Sequence, residues 1–159
     1  VLMAASAQAA DRPPAAPTPA AAPEAPRKAT PAERAEMQRA DPLTRMAFWS
    51  TEADRDGRDV EAGVGLSQAL RALGRYDEAA SWAAMALQDN PDYQPGLRIA
   101  AASNAMAGRP EQAHKAVARL RLLNPTLRVS TLKDVLGPFR RAEDLLRYEE
   151  GMRQAGLPE

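Results

Sequence analysis

The chain has 159 residues with 21 basic and 21 acidic side chains, a length that holds at most one modest domain plus a tail. Balanced charge provides no basic patch of the kind that nucleic acid requires, and no apolar run is long enough to span a membrane. There is no cysteine, which excludes disulfides, thiolate metal sites, thiol catalysis and an acylated-cysteine anchor in this chain and leaves the redox compartment open.

Hydrophobic residues make up 45% and aromatics 4%, with Ala supplying much of the apolar share. That profile favours closely packed helices over a sheet, because Ala is the best helix former. Residues 1–10, VLMAASAQAA, carry the small-x-small triplet Ala7-Gln8-Ala9 behind Val1-Leu2-Met3. This is the pattern of a truncated signal peptide, with a mature chain starting near Ala10 and a periplasmic or exported location. An Ala-rich disordered tail on a cytoplasmic protein is the alternative. Residues 11–29, DRPPAAPTPAAAPEAPRKA, show no periodicity and read as a disordered, partly polyproline-II linker. Fully extended it reaches about 60 Å, at roughly 3.1 Å per residue.

Residues 30–57 read as a degenerate helix pair. Thr30, Pro31 and Glu33 form a helix start with N-cap, first-turn proline and capping-box glutamate. That helix is expected to run to about Arg39. Asp41-Pro42 opens a second helix, which carries Leu43, Met46, Ala47, Phe48 and Trp49 and fades near Asp54.

Residues 58–125 say nearly the same thing twice. Gly74 returns as Gly108, Arg75 as Arg109, Ala79 as Ala113 and Asn90-Pro91 as Asn124-Pro125, each 34 residues on. A sustained offset of this size marks a helix-turn-helix repeat. Helices are expected over about 60–73, 76–89, 95–107 and 110–123. Gly74 and Gly108 end helices by taking positive φ, and Asn90-Pro91 turns the chain into the next unit. Gly57 falls one period before Pro91, which ties the 30–57 pair to the same series.

After Pro125 the period fails. Residues 129–136 form a short helix stopped by Gly137-Pro138. Residues 143–155 form an amphipathic helix with Leu145, Leu146, Tyr148 and Met152 as its apolar face, closed by Gly156. Segment 126–159 is therefore a C-terminal cap, as segment 30–57 is an N-terminal one. Two full units are few for a stable array, so both caps carry structural weight.

The two units resemble the tetratricopeptide repeat. The first offers Leu66, Gly74, Tyr76, Ala79, Ala86 and Pro91 at the family's positions; the second offers Ala100, Ala101, Gly108, Ala113 and Pro125. Pro110 replaces the aromatic, Leu120 the late Ala, and Gly63 the early bulky residue. The resemblance implies an all-α fold, a short right-handed α-α superhelix with capping helices at both ends and a disordered N-terminal tail. It also implies a non-enzymatic scaffold that holds a protein or peptide. The run DPLTRMAFWSTEADRDGRDVEAGVGLSQALRALGRYDEAA is similar to TadD-type tetratricopeptide proteins of bacterial pilus assembly, which implies a role in envelope, pilus or secretion assembly. The ending PFRRAEDLLRYEEGMRQAGLPE is similar to tetratricopeptide modules of bacterial adenylate-cyclase-like proteins. That second likeness implies the alternative of a C-terminal regulatory module in a larger signalling protein.

In such arrays the first helix of each pair lines the concave groove. The partner-binding face is accordingly expected at Glu61, Val64, Gln68 and Arg71, then Arg98, Ala102, Ala105 and Met106. The arginines suit a partner's carboxylate and Met106 an apolar anchor; ordinary solvated helix residues are the plain alternative. The Lys and Asn pattern of the family's carboxylate clamp is missing, since Val64 and Gly65 stand in its place. A groove two helices wide suits a short peptide or single helix better than a whole domain, and self-association through it stays open. No catalytic residue, metal site or cofactor is expected. His114 has no second His or Cys with which to share a metal. Neighbouring pairs such as Glu149-Glu150 point about 100° apart on a helix and make no acid/base pair. Trp49 and Trp82 are expected in the core, with Trp49 filling the hollow left by Gly63 and Gly65.

Overall fold

The chain folds as its capping residues direct. The computed structural model describes residues 27–136 and 142–159. The readings for residues 1–26, and the stop at Gly137-Pro138, lie outside that range. The described residues form eight α-helices: α1 (Pro31–Met37), α2 (Pro42–Arg55), α3 (Val60–Ala72), α4 (Tyr76–Asp89), α5 (Gln94–Met106), α6 (Pro110–Leu123), α7 (Leu132–Leu136) and α8 (Ala142–Gln154). A 3-10 turn at Val129–Thr131 leads into α7. The fold is all-α, with helix packing of a helical-repeat kind.

The starts are made by side chains. Thr30 accepts from the Glu33 N–H while Glu33 accepts from the Thr30 N–H at 2.7 Å, a closed capping box with Pro31 in the first turn. Asp41 accepts from the N–H groups of Leu43 and Thr44, and Asp59 caps α3 through the Ala62 N–H.

The period is written into the backbone. Helices α2, α4 and α6 begin at Pro42, Tyr76 and Pro110, and α3 and α5 at Val60 and Gln94, all in one register. Gly74 and Gly108 take φ of 77° and 72°. Behind them the N–H of Arg75 donates to Leu70 O, and that of Arg109 to Asn104 O, so orphan carbonyls of both helices are satisfied alike. The caps Asn90 and Asn124 share φ −140° and ψ 83°, and Asp56, one period earlier, has φ −144° and ψ 93°. Residues 42–56 thus repeat the geometry of the later units although little of their sequence matches.

Two apolar clusters hold the array. The first gathers Trp49, Ala53, Ala62, Leu66, Leu70 and Ala79, with Trp82 half-buried against it. Trp49 is fully buried over Gly65, where a Cβ would come 2.6 Å from Cε2 of the ring. The expectation that Trp49 also fills the space at Gly63 is corrected: that space is taken by Ala86 of α4, 3.1 Å from a Cβ placed there. Two residues turn about 200° on a helix, so one ring cannot serve both sides.

The second cluster joins α5 and α6 to the C-terminal segment through Leu97, Ala101, Val117, Leu120, Leu127, Leu132, Tyr148, Met152 and Leu157. The apolar face of α8 differs from the expected one. Leu146 is 61% exposed and Leu145 half-buried, while Tyr148, Gly151, Met152 and Ala155 face inward. The tail then returns along the fold, with the Val129 N–H donating to Pro158 O at 2.8 Å.

Candidate functional site

The predicted binding face is where α8 lies. Helix α8 packs on α5, and α3 lies beside α5. A Cβ at Gly151 would stand 3.1 Å from Ala102 O and 3.2 Å from Ala102 Cβ, so glycine lets the two helices meet backbone to backbone. Ala102 is consequently buried, as is Val64, whose Cγ2 lies 3.4 Å from the Cβ position of Gly96. Glu61 is exposed and ion-paired to Arg34 at 2.7 Å. Gln68, Arg98, Ala105 and Met106 are half-buried. Arg71 is 6% exposed. The expected face is therefore partly covered by the chain itself, because the segment beyond the last repeat folds onto α5.

Around Arg71 the side chains make an unusual electrostatic arrangement. Its guanidinium carbon sits 4.5 Å from the centroid of the Tyr148 ring, a cation–π contact. Burial pushes the Arg71 pKa down, and the nearby charge of Arg45 adds to that push, while Tyr148, Tyr76 and Asp144 oppose it. Arg45, on α2, is also shifted down by burial, with Asp144 opposing, and donates through Nη2 to Gln68 Oε1 at 3.4 Å. Burial raises the Tyr148 phenol, and Arg71 and Arg98 oppose that shift. The Nε atoms of Arg45, Arg71 and Arg98, like that of Arg34, are sealed from solvent without a hydrogen-bond partner. Asp144 forms no ion pair or hydrogen bond with any of the three among the described residues.

A second buried arginine has the opposite surroundings. Arg34, on α1, donates to Glu52 and Asp59 through Nη2 and to Glu61 through Nη1, each at 2.7 Å. Glu52 also accepts from the Ala29 N–H at 3.0 Å and from Arg55 at 2.6 Å, and Lys28 pairs with Asp59 at 2.6 Å. Burial pushes the Glu52 and Asp59 carboxyls up, but the cations and N–H groups around them outweigh it and hold both below the usual carboxylate range. Hydrogen bonds to Asp59, then to Glu61 and Glu52, raise the Arg34 pKa against burial.

Neither a protein-family model nor a curated protein matches the chain.

Of the remaining chemistry, His114 is exposed beside Gly156. Among the described residues no cluster of three or more His, Asp or Glu side chains is placed to hold a metal, and no helix is long and apolar enough to cross a membrane. A small cavity of about 10 Å³ is lined by Asp56, Asp59, Gly63, Trp82, Met85 and Asp89, which is room for about one water. Sequence reasoning placed Arg71 and Arg98 at the site but missed Arg45, Asp144 and Tyr148. Tyr148 carried the signal of an apolar helix face, and nothing in its spacing tells which surface that face will cover.

Proposed function

We propose that this chain is a non-enzymatic protein-interaction module of the tetratricopeptide type, serving assembly in the bacterial envelope. The observation that supports this best is the repetition of backbone detail. The same helix lengths recur at one period through residues 42–124, with positive-φ glycines at Gly74 and Gly108 and asparagine caps at Asn90 and Asn124. Stacked helix pairs of this kind expose long helix faces whose use is to hold a partner. The small-x-small triplet and the Ala/Pro-rich stretch support export, and the likeness of the front half to pilus-assembly proteins supports an assembly role.

The test is affinity capture by the full chain carrying a photo-crosslinker at Gln68 or Met106, followed by mapping of the cross-links. A saturable partner joined to these positions is expected. Capture that maps only to α4 and α6, or catalytic turnover by the chain alone, overturns the reading.

A further inference from the structure

We propose that the Arg27–Lys28 and Lys28–Ala29 peptide bonds form a guarded processing site, where a trypsin-class serine protease detaches the Ala/Pro-rich stretch from the helical array. Between Val1 and Pro26 the single basic residue is Arg12, and Pro13 follows it. A bond before proline resists this class of enzyme, so the first cleavable basic residues are the adjacent pair at the junction. Their side chains stand half in solvent, 50% exposed for Arg27 and 55% for Lys28. Cutting here leaves the start of the fold intact. Thr30 and Glu33 still cap α1, and Arg34 keeps Glu52, Asp59 and Glu61.

The guard holds the atoms that hydrolysis uses. A serine protease takes the carbonyl oxygen of the residue it cuts after into an oxyanion hole, and that residue's cation into a specificity pocket. Here the Arg27 carbonyl oxygen accepts from Arg55 Nη1 at 2.7 Å. The Arg27 guanidinium is bidentate on Glu33 at 2.6 and 2.8 Å, and Lys28 Nζ lies 2.6 Å from Asp59. The N–H of Ala29, on the leaving amine of the second bond, donates to Glu52 Oε2 at 3.0 Å. Glu52 also holds Arg55 through Oε1 at 2.6 Å, so one buried carboxylate governs both backbone contacts. The segment has to lift off α2 before an active site can close on it, and cleavage then follows the population of the opened form. Hydrolysis adds water across the Lys28–Ala29 amide, leaving a carboxylate on Lys28 and an ammonium on Ala29. That ammonium stands where an amide N–H already faced Glu52, and a charged donor strengthens the contact.

The test is limited digestion of the full chain by trypsin, with products identified by intact mass and a peptide of residues 20–32 as the unguarded reference. Wild type should lose its N-terminal stretch at Arg27 or Lys28 about tenfold or more slower than the peptide is cut. The product beginning at Ala29 should melt cooperatively. Arg55→Ala frees the Arg27 carbonyl and Glu33→Gln frees the Arg27 guanidinium, and each should speed the cut about threefold or more. Melting curves accompany both variants. Glu33→Gln, whose amide still serves the capping box, supplies the readout if Arg55→Ala loses stability. Cutting of wild type at the peptide's rate overturns the guard, as do equal rates in wild type and both variants. Failure of any product beginning at Lys28 or Ala29 to accumulate overturns the site. A product that no longer melts cooperatively makes the cut a step of degradation and overturns processing. The site needs no partner on α3 or α5, so it and the interaction-module reading stand or fall separately.

Discussion

Arg34 and Arg71 are both almost wholly buried, and they live in opposite company. Arg34 lies between α1, α2 and α3 with three carboxylates at 2.7 Å, beside Trp49 at 5.5 Å from the ring centroid. Arg71 lies between α3 and α8 with an aromatic ring and no carboxylate partner among the described residues. The first arrangement closes its own electrostatics and clamps the start of the array to its first full unit. The second sets a desolvated cation against a π-face, with Asp144 acting on it only through space.

Substitutions sharpen that contrast. Trp49→Ala should cost about 3–5 kcal/mol, because a ring seated on Gly65 leaves a cavity that the helices cannot close. A variant melting like wild type would remove Trp49 from the core of the comparison. Arg34→Met should cost up to about 3–5 kcal/mol, since Glu52 and Asp59 would lose the buried guanidinium they share and keep only the more exposed Arg55 and Lys28 as cationic partners. Arg71→Met should leave the melting temperature unchanged or raise it, because it removes a desolvated charge and keeps the volume. Equal losses in the two variants would erase the distinction drawn between the sites.

The gap between wild type and Arg34→Met should also narrow in acid. Glu52 and Asp59 have folded pKa values below their ordinary 4.5 and 3.8. Their contribution is therefore present above those values and is lost as pH falls through the lower folded ones. Denaturant midpoints measured between pH 7 and pH 2 check this; a gap that widens on acidification contradicts the pairing.

Gly151→Ala should cost about 1–3 kcal/mol by pushing α8 off Ala102, and it should change the exposure of the Arg71 site without touching Arg34. Hydrogen exchange in α8 reports the first effect directly. The smallest expected loss is at the entry: Thr30→Ala opens the capping box at about 1 kcal/mol, read from urea midpoints.

The repeat was legible because it is local. Gly74, Gly108, Asn90 and Asn124 act through φ, ψ and hydrogen bonds within a few residues of themselves, so their spacing carried the helix boundaries to within about two residues. Trp49 over Gly65 was also foreseeable, since a missing side chain on one helix invites a large one from its neighbour. The assignment of Gly63 to the same ring failed on helix geometry, and that of Leu146 to the inner face failed for the same reason.

The candidate site was legible only as a list of residues along α3 and α5. Whether Val64, Arg71 and Ala102 would stand open depended on where α8 came to rest. Sequence alone determined the period, the caps and the helix order, all of which follow from short-range backbone chemistry. Tertiary structure decided that Gly151 brings α8 down on Ala102, that Tyr148 meets Arg71, and that Arg34 finds three carboxylates while Arg71 finds none. These are encounters between residues far apart in the chain, and no local rule ranks one such docking above another.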